Sequence, residues 1–220
     1  MPLQTIEIET APNPRHAVIW LHGLGADGHD FEPIVPELVD RAWPALRFVF
    51  PNAPVRPITI NGGMAMRAWY DISGLEIAQK QDEAGIRDSI RLLGELIERE
   101  VARGAAADNI LLAGFSQGGA IVLSGGLRYP ARLGGIIALS TYLPLAEKTD
   151  AEAAAANHDL PIFMAHGMLD PTIAHALGEM SRDYLAHRGY RVDWHAYPMA
   201  HQVCAEEIAD LKRWLGARLG

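Results

Sequence analysis

Ser116 stands in Gly114-Phe115-Ser116-Gln117-Gly118-Gly119, a hydroxyl with glycine two positions away on each side. That spacing suits nucleophilic acyl chemistry when a strand runs into it and a helix leaves it. The turn is then so tight that Gly114 and Gly118 avoid backbone clashes, and the hydroxyl is presented at the carboxyl end of a sheet. The helix amino end favours developing negative charge, and the Gln117 amide points toward an oxyanion. As a bare five-residue pattern it equally describes a flexible turn. The chemistry therefore depends on an acid, a base and a second oxyanion donor elsewhere in the chain.

Among the acids after Ser116, Asp170 alone lies just past an apolar run, in His166-Gly167-Met168-Leu169-Asp170-Pro171. It also reads as a turn or cap residue. Asp193 falls within a strand pattern, and Asp183 and Asp210 within helical ones. Of the later histidines, His175 and His187 sit on a helical stretch. His195 shares a strand face with Arg191, Asp193 and Tyr197 and reads as solvated. His201 occupies the loop Pro198-Met199-Ala200-His201-Gln202 and completes the order Ser, Asp, His that accompanies this kind of turn.

The second donor points to His22-Gly23-Leu24-Gly25-Ala26-Asp27-Gly28, which contains a literal Gly-x-Gly-x-x-Gly. A dinucleotide site would also require an acidic residue closing the next strand, yet Arg47-Phe48-Val49-Phe50 ends in Pro51-Asn52. The competing reading puts this loop beside Ser116, with Gly23 allowing close approach to substrate and the Leu24 amide as second donor. The nine histidines show no ligand pair at helical spacing with a helper carboxylate, so no metal is expected. Cys204 reads as a small packing residue.

These groups require strands that end together. Alternation in Thr5–Glu9 predicts an edge strand, and the apolar runs at 17–21, 47–50, 110–113, 133–140 and 161–165 predict interior ones. A further strand is expected at 190–197. Helices are expected near 31–39, after Ser116, over 173–187 and at the end of the chain. Another follows Asp82 as cap, with Ile86, Ile90, Leu93, Ile97 and Val101 inward and Glu95, Glu98, Arg99 and Glu100 as a solvated face. Residues 51–80 form a long connection carrying Met64, Met66, Trp69, Tyr70, Ile72, Leu75 and Ile77, which either packs on the core or walls an apolar substrate group. Leu143 leaves the end of the 133–140 strand. The connection to the next strand is too short for a large lid, so the site should be open, favouring modest soluble esters or thioesters.

At 220 residues and 49% hydrophobic content, the chain fits one α/β domain over 1–220, a mostly parallel central sheet with helices on both faces. A formal charge of −8 argues against nucleic acid or anionic membranes as general partners. The lone cysteine excludes an intramolecular disulfide. The first residues lack signal-peptide character, and no apolar run approaches bilayer length, so a cytoplasmic location without stable membrane insertion is expected. Exposed apolar loops leave room for a homodimer.

Taken together, His22-Gly23-Leu24-Gly25, Trp69-Tyr70-Asp71, the Ser116 turn, Leu143-Pro144-Leu145, His166-Gly167 with Asp170-Pro171, and Ala200-His201 resemble the small carboxylesterase, acyl-protein thioesterase and lysophospholipase family of α/β-hydrolases. The resemblance covers nearly the whole chain. It implies Ser116 as nucleophile, Asp170 and His201 as its partners, the Leu24 and Gln117 amides as oxyanion hole, and no cofactor. It also implies short- to medium-chain acyl esters as substrates, with acyl-protein or lysolipid substrates as alternatives. Tyr70 stands where relatives often carry phenylalanine, a change in the expected pocket wall of Gly23, Met64, Trp69, Tyr70 and Leu143.

Overall fold

Apolar runs bounded by turn residues become the strands of one twisted sheet. The computed structural model describes residues 3–74 and 81–219. Among them, β1 (Thr5–Glu9), β2 (His16–Leu21), β3 (Leu46–Pro51), β6 (Ile110–Phe115), β7 (Gly135–Leu139), β8 (Ile162–Gly167) and β9 (Val192–Tyr197) form a sheet ordered β1-β3-β2-β6-β7-β8-β9. Only β1 pairs antiparallel, with β3; the other pairings are parallel. Strand alternation sends Ala17, Ile19 and Leu21 of β2 into one apolar cluster and Val18 and Trp20 into the other. The first cluster is covered by α2 (Glu83–Ala102), α3 (Gln117–Arg128) and α5 (His175–Ala186). The second is covered by α1 (Val35–Leu38) and α6 (Ala205–Leu219). The short α4 (Ala146–Glu152) packs against α3.

The order sets the site's location. From β2 the chain steps to β3 on one side, then returns to place β6 on β2's other side, so β2 and β6 flank the point where the winding reverses. Loops leaving adjacent strands there diverge and open a crevice at the carboxyl edge. His22-Gly23-Leu24 leaves β2 and Ser116 leaves β6 at this point, with Leu21 in register with Gly114.

Several expectations change. The helix expected near 31–39 is a 3-10 turn (Glu32–Ile34) followed by a four-residue α1. Pro33 and Pro36 lack the N–H groups a longer ladder needs. The 51–80 connection contains a hairpin, β4 (Val55–Ile58) and β5 (Met64–Arg67), turned through Gly62 and Gly63 at positive φ. Leu75 and Ile77 lie outside the described residues. Asp82 does cap α2, accepting from the Gly85 N–H at 2.9 Å. Val101, however, is exposed, and Glu100 is fully buried rather than solvated. His195 is not free in solvent: it stacks on Phe163 at 4.8 Å and contacts Asp193 at 3.0 Å. Among the described residues no helix is long and apolar enough to cross a membrane.

Candidate active site

The β6–α3 junction holds Ser116 at φ 53°, ψ −119°, a left-handed conformation rare for a residue with a side chain. Glycine neighbours make it attainable. A Cβ at Gly114 would fall 2.5 Å from the Gly118 carbonyl carbon, and one at Gly118 would fall 2.6 Å from the His22 carbonyl oxygen and closer still to that of Leu21. The turn is held by the Ser116 N–H on the Leu139 carbonyl at 2.9 Å. From the other side, the Thr141 hydroxyl donates to the Ser116 carbonyl at 2.7 Å. Thr141 carried no signal in the sequence beyond following a strand.

Ser116 Oγ lies 2.9 Å from His201 Nε2, and His201 Nδ1 lies 2.7 Å from Asp170 Oδ2. With Asp170 Oδ2 accepting from Nδ1, that nitrogen is the donor and Nε2 faces the serine hydroxyl as acceptor. The other Asp170 oxygen accepts the Thr172 and Ile173 N–H groups at 2.8 and 2.9 Å. One Asp170 oxygen thus holds the turn amides while the other faces His201. His166 lies buried beside it, donating from Nε2 to the Ile173 carbonyl at 2.9 Å with the same nitrogen 3.4 Å from Asp170 Oδ2. Burial pushes His166 below the ordinary imidazole range and favours its neutral form. The Phe115 ring packs on the His201 imidazole at 4.7 Å and is backed by Phe31 and then Trp20. Sequence spacing identified neither support.

Beside the serine, a Cβ on Gly23 would touch Ser116 Cβ at 3.5 Å, so the β2 loop approaches Ser116 closely. Among the described residues the backbone N–H groups of Leu24 and Gln117 are bonded to nothing else. His22 accepts the Ala53 N–H at Nε2, 3.0 Å away, and so donates from Nδ1 to the Gly23 carbonyl at 2.7 Å. Burial lowers its proton affinity, consistent with that neutral tautomer.

The expected pocket wall is distributed differently from the triad. Met64 is 64% exposed on β5, whereas Trp69, Tyr70 and Leu143 are buried. The Tyr70 and Tyr142 hydroxyls pair at 3.1 Å, and burial raises both above the ordinary phenol range, Tyr142 to about 12. Two wide clefts lie elsewhere. One of about 480 Å³ lies between Thr149, His158, Arg188 and Tyr190, and one of about 710 Å³ between Pro161, Arg191, Trp214 and Arg218; neither includes Ser116, Asp170 or His201. Among the described residues no group of three or more His, Cys, Asp or Glu side chains is placed to hold a metal ion.

A hydroxyl on a strained turn, an imidazole against it, a carboxylate behind the imidazole and two open amides nearby can together carry acyl transfer. Residues 3–219 match the family model described as phospholipase/carboxylesterase. The chain is 42% identical over 212 residues to acyl-protein thioesterase 1 of Neurospora crassa, covering 92% of this chain and 86% of that one. The crystal structure of Arabidopsis thaliana SOBER1 superposes with a TM-score of 0.88 at 29% identity, covering 94% of this chain and all of the other. That of Zea mays acyl-protein thioesterase 2 gives 0.86 at 26% identity, with 99% of each chain covered.

Proposed function

This chain belongs to the phospholipase/carboxylesterase family of α/β-hydrolases, and from that premise we propose that it is a serine esterase working through an acyl-enzyme. The observation that carries the reading is the unbroken path from Ser116 Oγ through His201 to Asp170, at 2.9 and 2.7 Å. His201 takes the serine proton as Oγ attacks the acyl carbonyl, and then delivers it to the departing alcohol or thiol. Water, deprotonated by the same imidazole, attacks the acyl-enzyme and frees the carboxylic acid and Ser116. The Leu24 and Gln117 amides receive the charge on the tetrahedral oxygen, each contributing about 3 kcal/mol. Asp170 holds the imidazole in the productive tautomer and balances its transient positive charge.

The substrates are short- to medium-chain acyl esters. The thioester reading, in which the leaving group is a protein cysteine, is favoured by the relatives named acyl-protein thioesterases. Ser116→Ala should lower kcat/KM by on the order of 10⁴-fold with the fold intact. A fluorophosphonate should add one covalent mass to the parent protein and none to the variant. A chain-length series of p-nitrophenyl esters, run beside an S-acyl peptide, then separates esters from thioesters. Folded parent protein that takes no label and turns over neither class would make it a ligand-binding module on a hydrolase fold.

A further inference from the structure

Trp69 and Gln117 are buried, and their hydrogen bonds run between the two open amides beside Ser116. The Gln117 side chain leaves the first turn of α3 and meets the backbone ahead of α2. Its Oε1 accepts the Trp69 N–H at 2.7 Å, and its Nε2 donates to the Tyr70 carbonyl at 2.8 Å. The carboxamide thus pairs with two successive residues as a peptide group would. The Trp69 indole then turns back, its Nε1 donating to the His22 carbonyl at 2.9 Å, while the Ser89 hydroxyl of α2 holds the Trp69 carbonyl. On the far side of His22, its imidazole grips the Gly23 carbonyl at 2.7 Å. The peptide between Gly23 and Leu24 is planar and trans, so fixing that carbonyl also fixes the opposed Leu24 N–H.

We infer that the Trp69 indole and the Gln117 carboxamide are positioning residues that set the Leu24 amide against the Gln117 amide, making a two-donor hole of fixed span for the tetrahedral oxyanion. A path of bonded groups leads from Leu24 through Gly23, His22 and Trp69 to Gln117, independent of the β2–β6 ladder. Trp69 is fully covered, so its effect on the reaction passes through backbone geometry rather than contact with the acyl chain. Fixed donors act on charge that develops only in the transition state, so loosening them lowers kcat while leaving ground-state affinity largely alone. The inference rests on the serine-esterase reading. Fluorophosphonate labelling of Ser116 in the parent protein tests that reading separately.

The test compares Trp69→Phe, which deletes the indole N–H, with Gln117→Met, which deletes both carboxamide bonds, and with Gln117→Glu. Burial keeps the carboxyl of that last variant protonated and able to make the same pair of bonds. For a soluble p-nitrophenyl ester, kcat should fall about ten-fold in Trp69→Phe with KM within about two-fold. Inhibition by a trifluoromethyl ketone, which adds reversibly to the serine to give an oxyanion, should weaken by the same factor. Gln117→Glu should retain most activity where Gln117→Met loses it. If folded Trp69→Phe keeps parental kcat, or raises KM at constant kcat, the inference is overturned and Trp69 becomes packing or substrate wall. Should Gln117→Met fail to fold, Trp69→Phe and Gln117→Glu still decide the matter.

Discussion

Each polar group around Ser116 takes its behaviour from what its remaining atoms touch. The Asp170 carboxylate divides between a turn and His201, and burial lowers the proton affinity of His22 and His166, each of which donates one ring N–H to a carbonyl. Glu207 stands apart. It is fully buried near the start of α6, six positions after His201, and among the described residues no side chain donates to its carboxyl oxygens. Burial pushes its pKa up to about 8, and the nearby Cys204 backbone N–H opposes this only in part. In the unfolded chain the same group ionises near its ordinary value of 4.5. Between those limits the folded state holds a proton that the unfolded state has lost, so this group's contribution to stability falls as pH rises. Glu207→Gln should therefore change stability little at about pH 5 and, relative to that, raise it by about 4 kcal/mol at about pH 9. Urea melts at the two pH values measure the difference; equal gains at both would show that charge is not the cause.

At the level of elements, the site depends on how closely β2 and α3 approach. The first turn of α3 runs beneath the carbonyls that end β2, and only a residue without Cβ fits at Gly118. Gly118→Ala should cost about 3 kcal/mol, because the added methyl meets backbone oxygens rather than movable side chains. It should also slow fluorophosphonate labelling of Ser116 more than a stability loss of that size explains, since the Ser116 turn and the Leu24 loop must separate. Gly62→Ala is the contrasting control. Nothing lies within 4 Å of a Cβ there, so its cost is confined to the positive φ, about 1 kcal/mol, and labelling should stay at the parental rate. Parental labelling in Gly118→Ala would refute this account of the junction.

Across the whole molecule, a buried ionic group ties the antiparallel edge of the sheet to α2. Glu100 meets Arg47 of β3 at 2.8 Å and Arg103 at 3.0 Å, while Glu9 and Glu7 of β1 take further contacts from Arg47, Arg99 and Arg103. Helical periodicity assigned Glu100 to solvent because α2 viewed alone has a charged face there. That face is covered by β1 and β3, which come from the other end of the sequence. Glu100→Ala leaves Arg47 buried with half its counter-charge and should cost about 3 kcal/mol in chemical denaturation. Replacing Arg47 and Glu100 together by methionine and leucine should cost less than Glu100→Ala alone, because no charge is then stranded. Esterase activity measured well below the melting temperature should stay near parental in both, as the group lies away from the β2–β6 crevice.

The proximity of Ser116, His201 and Asp170 was legible in the chain because their signals are local. Glycines at fixed offsets mark the Ser116 turn, and apolar runs mark strands that end in the Asp170 and His201 loops. The alternating cluster residues of β2 likewise follow from strand geometry alone. Tertiary structure decided what depends on partners far apart in sequence. Phe115 backs His201 across 86 positions, Glu100 is neutralised by Arg47 across 53, and His195 is sheltered by Phe163 across 32. Trp69 shows the division most clearly. Its composition and loop context fit a substrate wall as well as a core residue, and only the bonds to Gln117 and His22, 48 and 47 positions away, turn it inward. Periodicity reports which face of an element is apolar, but the elements that come to cover a polar face are chosen by the winding of the sheet.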